Sequence, residues 1–163
     1  MMLENMILEN VKNMPPSGIR KYFDMVHEME GVISLGVGEP DFVTPWNVRE
    51  AGIYSLEKGH THYSSNAGFL ELRYEISRYL YRRFNLSYHP ENEILVTVGG
   101  SEGIDLALRA LVGPGDEVII PEPSFVAYKG CTTFTGATPK VIELKAENEF
   151  KLTKEELLEA ITP

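Results

Sequence analysis

Gly99, Gly100, Ser101 and Glu102 stand where a β-branched run, Val96-Thr97-Val98, stops and a helical pattern begins, and a junction of that kind can hold an anion. A helix that starts near Ser101 leaves its first backbone N–H groups without intrahelical acceptors. It also adds the positive end of its dipole, and the combination suits a phosphate dianion. Gly99 and Gly100 place no side chain in front of those groups, so the anion can come close. Ser101 adds a hydroxyl donor. Taken alone, strand, glycines and helix fit a tight turn without a ligand about as well.

Other chemistry-bearing residues complete less. His60 and His62 have a metal-ligand spacing if extended, but no third ligand lies near them in sequence, so they read as a solvent-facing pair and no metal site is expected. Cys131 has no adjoining histidine and reads as a packed thiol. Gly36-Val37-Gly38 begins like a dinucleotide-binding loop, yet Asp41 occupies the third glycine's place and Pro40 interrupts the following helix. Glu39 and Asp41 read as turn and cap carboxylates rather than an acid/base pair.

The elements that must position the phosphate turn follow from periodicity and breakers. Ile104, Leu106, Ala107, Leu108, Leu111 and Val112 give its helix an apolar side, and Gly113-Pro114-Gly115 ends it. A strand over Ile94–Val98 is expected before that helix and another over Glu117–Ile120 after it, forming a parallel pair with a crossover. Pro121-Glu122-Pro123-Ser124 starts a further helix that ends near Gly136, and a strand over Lys140–Leu144 follows. Thr153-Lys154-Glu155-Glu156 is a capping box opening a last helix.

Upstream, Phe69, Leu72, Ile76, Leu80 and Phe84 form the stripe of a long amphipathic helix, with Arg73, Arg78, Arg82 and Arg83 filling much of the remainder. Trp46 to Leu56 reads as a helix capped by Thr44, with Pro45 in its first position. Before it come an irregular loop at Gly36–Asp41, a short apolar run Val32–Leu35, and a helical spacing over Ile19–Met29. The first thirty or so residues, broken by Pro15-Pro16, read as an arm.

A chain of 163 residues, 43% of them hydrophobic, can bury one core. Its formal net charge of −9, with no local Lys/Arg cluster, argues against a non-specific grip on nucleic acid or on an anionic membrane. A small-molecule partner fits better. One cysteine excludes an internal disulfide framework and fits a reducing compartment, no apolar stretch approaches a membrane span, and a cytoplasmic location is expected. The β/α alternation breaks off after a helix, at Ile161-Thr162-Pro163, so the chain reads as truncated.

Six motifs in order resemble the class I/II pyridoxal-phosphate aminotransferases. They are Ser17-Gly18-Ile19-Arg20, Gly36-Val37-Gly38-Glu39-Pro40-Asp41-Phe42 with Thr44-Pro45, Thr61-His62-Tyr63, Asn66-Ala67-Gly68 with Glu71-Leu72-Arg73, Val98-Gly99-Gly100-Ser101-Glu102, and Gly113-Pro114-Gly115-Asp116-Glu117-Val118. The resemblance implies an α/β chain of fold type I: an N-terminal arm plus an incomplete portion of the large mixed or parallel-sheet domain. Residues 1–36 would be the arm and a small-domain segment, and 37–163 the N-terminal portion of the large cofactor-binding domain.

The same resemblance implies pyridoxal 5'-phosphate as cofactor and assigns roles residue by residue. Gly100, Ser101 and Glu102 match the phosphate cup. Phe125 matches the aromatic position that stacks on the pyridine face, with ordinary core packing as the alternative. Tyr63 matches a tyrosine that crosses a dimer interface to the neighbouring subunit's phosphate, the alternative being a plain interface aromatic. Gly38 matches a loop glycine beside the substrate carboxylate, or else is only a turn glycine.

The family's Schiff-base lysine and its other catalytic groups are expected beyond Pro163, so no catalytic residue is assigned in this chain. Lys129, Lys140 and Lys145 lack the required context, and the chain by itself should not transaminate. The implied activity of the whole protein is transfer of an amino group between an amino acid and a 2-oxo acid by a homodimer, in amino acid metabolism and biosynthesis. A C–S β-lyase of the same fold is the enzymatic alternative. A non-catalytic aminotransferase-like binding fragment, or such a module in a transcription regulator, is the other; the acidic balance and missing basic helix-turn-helix weigh against the regulator.

Overall fold

A computed structural model describes residues 6–15, 22, 25, 31, 33, 38 and 40–162. Of the expected Ile19–Met29 helix only Tyr22 and Met25 are described, both helical, and of the Val32–Leu35 run only Ile33; the motif at Ser17–Arg20 lies outside the described residues. The chain divides into two compact units, Gly18–Thr97 and, discontinuously, Met1–Ser17 with Val98–Pro163.

The discontinuous unit holds the sheet. Helix α4, Gly99–Leu111, leads through the Gly113–Asp116 turn into strand β1, Glu117–Glu122. The Asp116 carboxylate accepts the Gly113 N–H at 2.8 Å and closes that turn. Helix α5, Ala127–Thr135, then connects β1 to strand β2, Thr138–Glu143, which pairs with it in parallel from Glu117↔Thr138 to Glu122↔Glu143. Buried Ile120, Cys131, Thr132 and Ala137 form the core between strand and helix. Thr132 is fully buried because its hydroxyl donates to the Tyr128 carbonyl at 2.8 Å. A short helix, α1 at Glu9–Lys12, joins this unit through Asn10, whose amide donates to the Thr133 carbonyl at 3.1 Å.

Helix α6, Lys154–Ala160, opens on the expected capping box: the Thr153 hydroxyl accepts the Glu156 N–H, and the Glu156 carboxylate accepts the Thr153 N–H. Helix α5 starts later than Pro121–Ser124 implied. That stretch instead completes β1 and turns through a cis Glu122–Pro123 bond, since a residue that precedes a proline, as Ile120 and Glu122 do, is kept out of the helical region and extended.

In the other unit, helix α2 spans Trp46–Glu57 and helix α3 spans Leu70–Phe84. Thr44 does not cap α2; Pro45 is the N-cap residue and no side chain bonds the first turn. Helix α3 ends on Asn85 in the left-handed region, where its N–H and that of Leu86 return to the last turn.

One expectation fails. Ile94–Val98 is no ladder strand among the described residues, and the parallel partner of β1 is β2, not this segment. A β-branched run has the propensity for a strand, but a ladder needs a neighbour with free backbone groups alongside it. Here the Val96 N–H donates instead to the Ala67 carbonyl at 3.1 Å, outside any ladder.

Candidate functional site

The Gly99–Glu102 turn is built as the first turn of α4. Gly99 sits at φ +82°, a backbone conformation that a side chain resists, and this lets the chain swing from the extended segment into the helix. The helix therefore begins two residues before Ser101. Gly100 has no such strain, and a Cβ placed on it would meet no protein atom within 4 Å. Packing within the chain gives no reason for a glycine at that position; a bound group in front of it would.

Ser101 is exposed, and its hydroxyl has no hydrogen-bond partner among the described residues. The N–H groups of Gly100 and Ser101 belong to the first turn, where intrahelical acceptors are missing. Glu102 behaves differently. Its carboxylate turns back to accept the Val98 N–H, so its side chain closes the helix start rather than facing outward.

Phe125 lies between β1 and α5 in the same unit as this turn. It is 49% exposed, and its ring meets Tyr128 edge-on at 5.8 Å. About half of the residue's surface is therefore not taken up by the core. Tyr63 and Gly38 fall in the other unit. Tyr63 is fully exposed, and an added Cβ at Gly38 would meet nothing within 4 Å. The structure thus groups Gly100, Ser101 and Glu102 on one helical turn, with Phe125 in the same unit.

An apolar cavity of about 590 Å³ opens on the sheet unit, lined by Ile104 and Leu108 of α4, Ile120 of β1, and Tyr128 and Thr132 of α5. None of the sequence-assigned site residues lines it. Almost wholly apolar walls offer packing surface and little chemistry.

Arg73 reads in sequence as one arginine of a solvent face, but it is buried. Its spacing holds the signal: four residues after Phe69 and three before Ile76, it falls on the shoulder of the apolar stripe. Cys131 is buried, and burial pushes its thiol above the ordinary range. Its burial fits the packed thiol that its sequence context implies.

Comparison with known proteins gives the class. The family model for aminotransferase class I and II matches residues 30–163. The "Putative aminotransferase YugH" of Bacillus subtilis (strain 168) is 58% identical over 152 residues, covering 93% of this chain and 39% of that protein. An aspartate aminotransferase of Pyrococcus horikoshii is 44% identical, covering 96% of this chain and 40% of its own length. Among solved structures, the aspartate aminotransferase from Rhizobium meliloti superposes with a TM-score of 0.84 at 35% identity, covering 96% of this chain and 40% of that one.

The chain belongs to the class I and II aminotransferase family, with the corresponding part of the fold-type-I architecture. It spans about two-fifths of the length of the relatives it matches.

Proposed function

We propose that this chain is the N-terminal part of a pyridoxal-phosphate-dependent aminotransferase that moves an amino group between an amino acid and a 2-oxo acid. One observation carries the cofactor reading: the first turn of α4 presents Gly100 to open space and a Ser101 hydroxyl with no partner among the described residues. In a member of this family, those features fit the phosphate of the cofactor.

Each residue has a distinct task in this reading. The N–H groups of Gly100 and Ser101 and the Ser101 hydroxyl donate to phosphate oxygens, and the helix dipole adds to the attraction. Glu102 holds the helix start in place through Val98 and contributes by its backbone position. The half-exposed ring of Phe125 covers a flat pyridine face. Tyr63, with its hydroxyl fully exposed, serves the phosphate site of a second subunit in a homodimer. The Gly38 backbone lies beside the substrate carboxylate. When bound, the cofactor supplies the electron sink for amino transfer. The residue that holds and moves the proton is a lysine C-terminal to this chain, and the protein works in the cytoplasm.

The test is product analysis of the full-length protein loaded with pyridoxal phosphate. Aspartate or an aromatic amino acid is supplied with a 2-oxo acid. Equal amounts of a new amino acid and a new 2-oxo acid support the reading. Thiol, ammonia and pyruvate from cystathionine, without amino transfer, favour the lyase.

A further inference from the structure

Phe125 sits in the bend between β1 and α5 with about half of its surface exposed, so burial alone does not fix the direction of its ring. Among the described residues its ring contact is with Tyr128, the centroids 5.8 Å apart and the planes at 85°. In an edge-to-face pair of this kind, at least one face of the Phe125 ring stays clear of Tyr128. Tyr128 is the better anchored of the two. It lies in the first turn of α5, its N–H donates to the Phe125 carbonyl at 3.2 Å, and its own carbonyl accepts the Thr132 hydroxyl at 2.8 Å. Thr132 is fully buried, and Tyr128 and Thr132 both line the apolar cavity of the sheet unit. Phe125 can therefore swing to another rotamer only by giving up its contact with a ring that is seated on the core. Such a contact contributes about 0.5–1.5 kcal/mol beyond the area it buries.

We propose that Tyr128 is a positioning residue for the cofactor: its ring holds Phe125 in the orientation that offers a free face to the flat pyridine. The proposal deepens the stacking role given to Phe125 above and rests on it. Without the Tyr128 ring, Phe125 spreads over several rotamers, and cofactor binding has to select one of them, which weakens affinity. The contact needs an aromatic ring at position 128 and makes no use of the hydroxyl.

The test uses the full-length protein freed of cofactor and titrated with pyridoxamine phosphate, whose amine forms no covalent bond to a lysine, so that affinity reads the non-covalent contacts. Tyr128→Leu should weaken binding about threefold to tenfold, the scale of one edge-to-face ring pair. Tyr128→Phe, which keeps the ring, should restore the binding lost in Tyr128→Leu. In a Phe125→Leu background, Tyr128→Leu should cost no further affinity, because the ring it positions is gone. A structural role alone would instead weaken binding equally in both backgrounds. That equal loss, wild-type affinity in Tyr128→Leu, or a Tyr128→Phe protein as weak as Tyr128→Leu overturns the proposal. If Tyr128→Leu does not fold, Tyr128→Met, whose unbranched side chain adapts to the cavity, decides by the same criteria. Wild-type affinity in Phe125→Leu overturns the underlying stacking reading instead.

Discussion

Gly68 passes Val96 with no room for a methyl group: a Cβ on Gly68 would lie 2.7 Å from the Val96 Cβ and 2.9 Å from its Cγ2, at a φ of +89°. Two independent penalties therefore attach to Gly68→Ala. The left-handed backbone costs about 1–2 kcal/mol and the overpacking about 1–3 kcal/mol, so a loss of about 2–5 kcal/mol is expected in urea denaturation. Adding Val96→Gly should remove the steric part and leave the backbone part. A double-mutant cycle without coupling would show that the two residues do not compete for space.

The capping box of α6 makes a prediction about pH. The Thr153 N–H, and secondarily its hydroxyl, hold the Glu156 carboxyl below the usual glutamate range. A depressed folded value means that the carboxylate stabilises the fold above the ordinary glutamate range, and that this contribution is lost as pH falls through the folded value. Thr153→Ala should cost about 1 kcal/mol at neutral pH, as removal of a helix cap does. The deficit relative to wild type should shrink on acidification below the glutamate range, as measured by denaturation at a series of pH values.

Glu117 offers a second, local readout. The Thr162 hydroxyl donates to its carboxylate at 2.5 Å and Lys140 lies 3.5 Å away, and together they hold it below the ordinary range. In Thr162→Val the Glu117 carboxyl should titrate at higher pH, closer to an unperturbed glutamate, in a carboxyl-detected NMR titration. Global stability should change little, because exposed pairs contribute little. An unmoved titration would show that the hydroxyl does not set the shift.

Cys131 should resist thiol reagents in the native state at neutral pH. The thiolate is the reactive form, and burial disfavours it. Mass-spectrometric labelling of the Cys131 peptide should be slow in buffer and complete in denaturant. Fast native labelling would mean that α5 opens readily from the sheet.

Features that depend on near neighbours in the chain are legible in the sequence. The Thr153–Glu156 box, the Gly113–Asp116 turn and the helix after Gly99-Gly100 all use residues within a few positions of one another. Features that depend on a distant partner are not. Ile94–Val98 has strand composition, but its pairing depends on what lies beside it. The place of Arg73 beside the apolar stripe marks it for burial, but the Pro90 and Glu91 carbonyls that receive it lie 17 and 18 positions along the chain and are not legible. Within the candidate site, Ser101 and Gly100 are legible because helix starts have a local grammar. The inward turn of the Glu102 carboxylate is not, because either rotamer suits the same sequence.

The central claim is that the first turn of α4 holds the cofactor phosphate, and Gly100→Ala in the full-length protein tests it most directly. Gly100 has ordinary helical surroundings and empty space where the methyl group would go, so the variant should fold as well as wild type or gain up to about 1 kcal/mol of helix propensity. The same methyl group would stand in the path of the phosphate. Affinity for pyridoxal phosphate should fall about tenfold or more while the denaturation midpoint holds or rises. Unchanged affinity in a stably folded Gly100→Ala protein would contradict the account.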